Sequence, residues 1–164
     1  MRVLQISSEA TPFAKTGGLA DVAGALPDAL ERAGCDCTLV VPAYREVFEK
    51  NLPIQKTDMQ FSVPVGQRNL EATIYSCSLP DQKHNVFLIG NTHCFDRDTL
   101  YGGAEDYADN AERFIFFSRA ALEVAARQPH AFDIIHCHDW QTSLVPAYQK
   151  LLYQSWPTLS EARS

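Results

Sequence analysis

The sequence predicts an α/β fold, a parallel sheet with helices on both faces. Short apolar segments suited to buried strands alternate with longer segments whose apolar residues recur at helical spacing. This alternation is typical of parallel sheets, because each helix carries the chain back to the start of the next strand. Apolar residues make up 46% and charged residues 21% of the 164 positions, which is typical of one globular domain.

The first predicted elements are a strand, a glycine turn, a helix and a second strand. Residues 2–7 form an apolar strand, and residues 19–33 carry apolar side chains at helical spacing up to Gly34, a natural helix end. Pro27 lies inside this helix, and because proline lacks an amide proton we expect a bent helix or two short ones. Residues 37–41 form the second strand.

The remaining elements continue the alternation after a β-rich stretch. Alternating apolar residues between positions 61 and 74 predict a β-hairpin around residues 66–69. A strand at 86–89, a long helix at 106–127, a strand at 133–137 and a final helix at 142–152 follow. Ligands bind such sheets beyond the carboxyl ends of the strands. Here that rule indicates residues 7–18, 90–103 and 136–141.

Charge and composition limit the partners and the compartment. The chain has 14 basic and 20 acidic residues, a net charge of −6, which disfavours nucleic acid and anionic membranes as partners. No segment approaches the roughly 20 apolar residues of a membrane span, and the first residues do not form a signal peptide. Five cysteines, an odd number, suit reduced thiols. We therefore expect a cytoplasmic protein that binds neither nucleic acid nor membrane.

The segment Lys15-Thr16-Gly17-Gly18 lies between the first strand and the first helix. Paired glycines let backbone amides approach an anion, the helix N-terminus adds a favourable dipole, and the lysine adds a mobile positive charge. The segment matches neither the dinucleotide nor the Walker fingerprint. A phosphate site and a plain glycine turn with a surface lysine both remain possible. Asp21 suits the helix dipole whether or not it reaches a ligand, and Glu9 at the end of the first strand has the same ambiguity.

The segment His136-Cys137-His138-Asp139-Trp140 ends a predicted strand. Its side chains are those of metal ligands, but strand alternation separates Cys137 from the two histidines, and a closed zinc site needs four convergent ligands. We expect no metal. The favoured interpretation is a polar strand end where Asp139 and Trp140 contact ligand hydroxyls and sugar faces. The alternative is that Asp139 caps the helix that follows.

A polar, glycine-containing loop at residues 96–103 follows another strand. Tyr101 in this loop has two interpretations: it stacks on a sugar or a base, or it covers the edge of the sheet. Arg97 is expected to pair with Asp96 or Asp98 in a solvated surface cluster, the commoner outcome for such a sequence.

Taken together, these segments resemble the bacterial glycogen synthase and plant starch synthase family. The blocks that carry the resemblance are VLQISSE at 3–9, KTGGLADV at 15–22, ALP at 25–27, DNAERF at 109–114 and HCHDWQ at 136–141. They cover essentially the whole chain in order. The resemblance implies a Rossmann-like fold, the N-terminal lobe of a two-lobed glycosyltransferase whose active site lies between the lobes.

The resemblance also implies an activity and a set of site residues. Enzymes of this family transfer glucose from ADP-glucose to the non-reducing end of an α-1,4-glucan, with retention of configuration and no cofactor, in the cytoplasm or, for a processed plant protein, the plastid. Lys15 and the Gly17 and Gly18 backbone are implied to contact the donor phosphates. Asp21 and Asp139 match acids at the donor and sugar sides, Asp139 being the catalytic candidate, and Tyr101 matches a tyrosine of the cleft.

The same resemblance indicates what the 164 residues lack. The family's first lobe continues into a strand with a histidine in a T-[IV]-H-N motif, and the chain stops just before it. We therefore expect a partial first lobe over residues 1–164, without the second, nucleotide-binding lobe, that transfers no glucose by itself. Two alternatives remain open from the sequence. One is a non-catalytic module that binds glucan or a protein partner, and the other is a dehydrogenase-like nucleotide domain, disfavoured because G-x-G-x-x-G is missing.

Overall fold

A computed structural model describes residues 1–80 and 82–164. Its elements, in chain order, are β1 (Arg2–Ile6), α1 (Gly18–Arg32), β2 (Asp36–Pro42), α2 (Arg45–Glu49), β3 (Ile54–Val65), β4 (Arg68–Cys77), β5 (Asn85–Gly90), α3 (Thr92–Phe95), α4 (Asn110–Ala126), β6 (Ile134–Cys137) and α5 (Val145–Leu152). A 3₁₀ turn at Trp140–Thr142 precedes α5. Within the described residues, no helix is both long and apolar enough to cross a bilayer.

Six strands form one sheet in the order β3-β4-β5-β2-β1-β6. The strands β5, β2, β1 and β6 are parallel, as predicted, whereas β3 and β4 are antiparallel to their neighbours. The sheet is therefore mixed rather than wholly parallel. Parallel pairing needs a crossover of a dozen or more residues, and neither the hairpin turn nor the short link at residues 78–84 provides one.

The central strands are covered on both faces. From Val3 to Ile6, β1 is at most 3% exposed at every position. Successive side chains of a strand point to opposite faces, so complete burial requires a packed layer on each side of the sheet. α1 packs beside β2, while α4 packs on β3, β5 and α5. The predicted layer arrangement is confirmed.

The helix α1 runs unbroken through Pro27, contrary to the expectation of a bent helix or two short ones. Pro27 has no N–H to donate to the carbonyl of Ala23, four residues earlier. The buried side chain of Gln5 on β1 replaces that donor, because its Nε2 donates a hydrogen bond of 2.7 Å to the Ala23 oxygen. The sheet thus satisfies the backbone group that proline leaves free.

The segment after β1 is packed tightly against α1. The Thr11 N–H and hydroxyl both donate to the carbonyl of Ala20, at 2.9 and 3.0 Å. A β-carbon at Gly24 would lie 2.4 Å from the Thr11 hydroxyl oxygen, so only glycine permits this approach. These contacts fix the course of the chain between β1 and the start of α1.

The other predicted elements differ mainly at their ends. The hairpin is confirmed, and the long helix occupies Asn110–Ala126, because residues 106–109 form a bridge and a turn instead. The predicted last helix is divided into the 3₁₀ turn and α5. The short helices α2 and α3 were not predicted, since one turn of helix is too short to show a periodic pattern.

Candidate functional site

The crevice at the carboxyl ends of β1 and β6 is organised by Glu9, which is 4% exposed. Its carboxylate accepts hydrogen bonds from the Thr16 N–H at 2.5 Å, from the Thr16 hydroxyl at 3.0 Å, and from the Gly17 N–H at 3.4 Å. A buried carboxylate is tolerated only when it is bonded in this way. Glu9, whose role the sequence left ambiguous, therefore fixes the loop that carries the glycines.

Lys15 lies at the rim of the crevice beside the first turn of α1. Its Nζ contacts both carboxylate oxygens of Asp21, at 2.6 and 2.7 Å. Both side chains are about half exposed, so the ion pair contributes little to stability. Because this pair is weak, the lysine remains available to a phosphate group that reaches the loop, and Asp21 lies next to that position.

The two glycines leave open space in front of the helix N-terminus. A β-carbon built at Gly17 or at Gly18 meets nothing within 4 Å. Gly18 is the first residue of α1, so its N–H has no acceptor within the helix. The Gly17 amide, in contrast, is already directed at Glu9. The prediction of free amides at this loop therefore applies to Gly18 and only weakly to Gly17.

Tyr101 reaches the end of β1 from the loop after α3. Its hydroxyl shares a hydrogen bond of 2.8 Å with the Ser8 hydroxyl, and its ring packs on Phe114 with centroids 5.8 Å apart. Burial raises the pKa of Tyr101 well above its ordinary value, and the negative charges of Glu9 and Asp139 raise it further. The phenol is therefore neutral at physiological pH and can donate a hydrogen bond into the crevice.

Asp139 closes the crevice at the end of β6. Its backbone has φ 62° and ψ −176°, a region that residues other than glycine rarely adopt. One carboxylate oxygen accepts the Trp140 N–H at 2.7 Å, so the capping alternative is confirmed for the 3₁₀ turn. The Asp139 side chain is exposed. Trp140 is about half exposed, and its ring packs edge-on against the ring of Phe114, with centroids 5.2 Å apart. Capping therefore leaves part of the carboxylate open to a ligand.

His136 in β6 and His138, one residue beyond its end, lie on one side of the chain, as strand alternation predicts. The rings of His136 and His138 lie 4.2 Å apart. His138 is buried, and its Nε2 has no partner among the described residues. Burial, with a smaller effect from the charge of His136, lowers the pKa of His138 to about 4. The described part of the chain groups no three side chains suitable for a metal.

Arg113 on α4 supports the loop that presents Tyr101, although it is not among the predicted site residues. The guanidinium is fully buried and donates to the carbonyls of Cys94 and Leu100, at 2.6 and 2.9 Å, and to the Asn110 side chain at 2.6 Å. Asn110 in turn donates to the Tyr101 carbonyl at 2.7 Å. A basic residue on the apolar face of a predicted helix was the available signal.

Arg97 does not pair with its sequence neighbours, contrary to the prediction. It binds both carboxylate oxygens of Asp109 at the start of α4, at 3.0 and 2.5 Å. Asp96 and Asp98 instead bind the guanidinium of Arg45. The surface cluster exists, but a different arginine occupies it, since α2 brings Arg45 across from another part of the chain.

The structure therefore brings together most of the predicted site. Lys15, Gly17, Gly18 and Asp21 lie at the N-terminus of α1. Tyr101 and Trp140, the residue that follows Asp139, pack on the same Phe114 ring, with centroids 5.8 and 5.2 Å from it. A glycine loop with a lysine at a helix N-terminus, beyond the carboxyl ends of parallel strands, is the arrangement with which Rossmann-like α/β domains bind the phosphates of a nucleotide.

Comparison with known proteins agrees with this class and defines the family. The family described as the starch synthase catalytic domain matches residues 2–164, and the chain belongs to that family of glucosyltransferases. The chain is 43% identical over 151 residues to "Glycogen synthase 2" of Geobacter metallireducens, covering 92% of this chain and 31% of the relative. It is 40% identical over 169 residues to a glycogen synthase of Thermodesulfovibrio yellowstonii, covering 94% and 34%.

A solved structure shows the same fold. The catalytic domain of starch synthase IV from Arabidopsis thaliana, bound to ADP and acarbose, superimposes with a TM-score of 0.86 and 32% identity. The match covers 98% of this chain and 32% of that chain. The chain thus spans about a third of the length of the curated relatives it matches.

Proposed function

We propose that residues 1–164 form a partial N-terminal Rossmann-like lobe of an enzyme that transfers glucose from ADP-glucose to the non-reducing end of an α-1,4-glucan, with retention of configuration. The observation that carries this proposal is the crevice loop, where Lys15 and the Gly18 amide face open space at the N-terminus of α1. The relatives that are named glycogen synthases, and the neighbour that binds ADP and acarbose, support the same assignment.

The crevice loop binds the diphosphate of the donor. The helix N-terminus and the lysine place positive charge where negative charge develops as the nucleoside diphosphate leaves. Asp21 holds the lysine at the rim until a phosphate competes for it. Because Glu9 already fixes the loop, the loop does not need to be ordered when the donor binds.

The opposite wall of the crevice binds the sugar. Asp139 is the catalytic residue of our proposal, because the part of its carboxylate not engaged by Trp140 can accept a hydroxyl of the transferred glucose. Tyr101 is a neutral donor beside it, held by Ser8 and Phe114. No cofactor takes part in this scheme, and a second lobe completes the nucleotide site. We place the protein in the cytoplasm.

Calorimetric titration of this chain with ADP-glucose tests the proposal. We expect weak binding that Lys15→Ala reduces about tenfold, since a charge-assisted hydrogen bond to phosphate is lost. Lys56→Ala, which removes an exposed lysine of β3, is the matched control and should bind as the parent chain does. Equal affinity of the two variants, or no binding of ADP-glucose by the parent chain, would contradict the proposed donor site.

A second measurement tests whether the 164-residue chain transfers glucose by itself. Incubated with ADP-glucose and glycogen, the 164-residue chain should not extend the glucan, because the donor site is incomplete without a second lobe. Robust incorporation of glucose would show that the chain is a complete catalyst and that glucose transfer does not need a second lobe.

A further inference from the structure

The backbone of Asp139, between β6 and the 3₁₀ turn, is held in a strained conformation. Its φ of 62° and ψ of −176° lie in a region that is populated almost only by glycine. Among the described residues, Asp139 is the only residue other than glycine with a positive φ. Such a conformation lowers stability and persists only where the surrounding contacts enforce it. The contacts around Asp139 therefore identify the residues that maintain it.

The backbone of His138, directly before Asp139, is fixed by two partners. The His138 N–H donates to the carbonyl of Ile6 at 3.1 Å, which extends the pairing of β1 with β6 by one residue. The His138 carbonyl accepts the hydroxyl of Thr142 at 2.8 Å. Because both backbone groups of His138 are bound, the chain enters Asp139 in a fixed direction.

The same hydroxyl holds the backbone on the other side of the Asp139 Cα. The Asp139 carbonyl accepts the Thr142 hydroxyl and the Thr142 N–H, each at 3.3 Å. The orientation of the two peptide planes that flank a Cα sets its φ and ψ. One hydroxyl that binds the carbonyls of both planes therefore constrains both angles of Asp139.

Thr142 is itself anchored in the core of the lobe. Its side chain is fully buried, so water does not compete for the hydroxyl. The helix α4 packs against the 3₁₀ turn that contains Thr142, and the buried hydroxyl of Ser118 on that helix donates to the Gln141 carbonyl at 3.3 Å. The turn is therefore a fixed support, and the strain is concentrated at Asp139.

The strained conformation leaves one oxygen of the Asp139 carboxylate available. The first oxygen accepts the Trp140 N–H at 2.7 Å, and the second has no partner in the part of the chain that the structure describes. The side chain is exposed beyond the carboxyl end of β6. A carboxylate that is oriented before a ligand arrives binds a hydroxyl group with a smaller loss of conformational entropy.

From these contacts we propose that Thr142 is a positioning residue, whose buried hydroxyl holds Asp139 in the strained conformation that presents the free carboxylate oxygen to the sugar of the donor. The inference rests on the proposed function for the assignment of the sugar to Asp139. Thr142 does not touch the ligand and acts only through the backbone of Asp139. The chain thus loses stability at one residue and gains a fixed carboxylate at the crevice.

Thermal unfolding of single and double variants tests whether Thr142 maintains the strain. Glycine adopts the Asp139 conformation freely, so Asp139→Gly should have a Tm about 3 °C above that of Asp139→Ala. Ala147→Gly, on the exposed side of α5, is the matched control and should lower the Tm. In the Thr142→Val background the backbone relaxes, so Asp139→Gly should melt no higher than Asp139→Ala. In the Thr142→Ser background, which keeps the hydroxyl, the difference of about 3 °C should remain.

Calorimetry with ADP-glucose and with ADP tests whether this positioning serves the sugar. Thr142→Val should bind ADP-glucose about tenfold more weakly than the parent chain, because the carboxylate is no longer fixed toward a glucose hydroxyl. Its affinity for ADP should be unchanged, since the diphosphate is bound by the loop that carries Lys15 and Gly18. Thr142→Ser should bind both ligands as the parent chain does.

The outcomes separate this inference from the proposed function. A higher Tm of Asp139→Gly over Asp139→Ala that persists in the Thr142→Val background overturns the inference, because the hydroxyl then does not maintain the strain. Equal weakening of ADP and ADP-glucose in Thr142→Val, or no weakening of either, also overturns it. If the parent chain binds neither ligand, the proposed donor site is contradicted, and the thermal comparison alone decides the inference. Thr142→Ala replaces Thr142→Val in every comparison if the valine variant does not fold.

Discussion

The crevice and a cavity between the hairpin, α2 and α3 lie on one edge of the same sheet but hold their charged groups in different ways. This cavity, the hairpin pocket, is lined by residues that include Arg45, Phe48 and Tyr75. In the crevice, the buried carboxylate of Glu9 binds backbone and hydroxyl groups of the glycine loop. In the hairpin pocket, the charged groups are exposed at the rim, and Arg45 is bound to neighbouring acids. The buried carboxylate is held by several hydrogen bonds, whereas the exposed ion pairs are screened by solvent and contribute little to stability.

The two regions share one support, the guanidinium of Arg113. It binds the carbonyl of Cys94 in α3, next to the hairpin pocket, and the carbonyl of Leu100, next to Tyr101 in the crevice. A substitution of Arg113 should therefore disturb both regions, whereas a substitution of a residue in one region should disturb that region alone.

Arg113→Leu is expected to have the largest effect. It leaves several buried acceptors without a donor, so we expect the free energy of unfolding to fall by about 3–5 kcal/mol. Binding of ADP-glucose should weaken as well, because the loop that carries Tyr101 loses its support. Urea unfolding followed by circular dichroism measures the loss, and Arg32→Leu on the exposed side of α1 is the control, with a change below about 0.5 kcal/mol. A loss of donor binding alone would show that the support serves only the crevice.

His138 gives the crevice side a pH-dependent contribution to the free energy of unfolding. Its pKa is about 4 in the folded protein and about 6.5 in an unfolded chain. Between these values the unfolded chain binds a proton and the folded chain does not, so stability falls as the pH falls. We expect this histidine to account for about 2 kcal/mol of the loss between pH 7 and pH 5.

His138→Phe tests that assignment, because phenylalanine fills similar space without titrating. Urea unfolding at the two pH values should show a smaller difference for the variant than for the parent chain. His130→Phe, at a more exposed position, serves as the comparison. An unchanged pH dependence in His138→Phe would place the titrating group elsewhere.

Glu9→Gln should have the smallest effect on stability and the most local one. The amide keeps an acceptor for the Thr16 N–H but loses the charge, so we expect a loss of about 1–2 kcal/mol. Affinity for ADP-glucose should fall because the loop is less well fixed. Calorimetry and urea unfolding on the same preparation measure the two effects, and an unchanged affinity for ADP-glucose would contradict the role of Glu9 in fixing the loop.

The sequence was most informative where structure depends on local patterns. The apolar runs located β1, β2, β5 and β6, and the glycine pair located the loop at the start of α1. The same local signals could not show that the hairpin would join the sheet in antiparallel orientation. That outcome follows from the short connections together with the free edge of β5.

The site residues that the sequence did not assign act through partners outside their own strand or helix. Glu9 was ambiguous because its partners, Thr16 and Gly17, lie in the following loop, which the fold brings back to the end of β1. In the sequence, Arg113 is one charge on an amphipathic helix. Its role becomes visible only in the structure, where the loop that contains Leu100 packs against it. In both cases a buried charge selects its partners in three dimensions, which periodicity along the chain does not record.

The contact between Gln5 and the helix at Pro27 has a consequence for how this family diverges. Each residue is unfavourable without the other: a glutamine in a central strand needs an acceptor, and a proline within a helix needs a substitute donor for Ala23. The two positions should therefore change as a pair. Relatives with an apolar residue at position 5 are expected to have a residue other than proline at position 27. Replacing only one of the two would leave a buried polar group without its hydrogen bond.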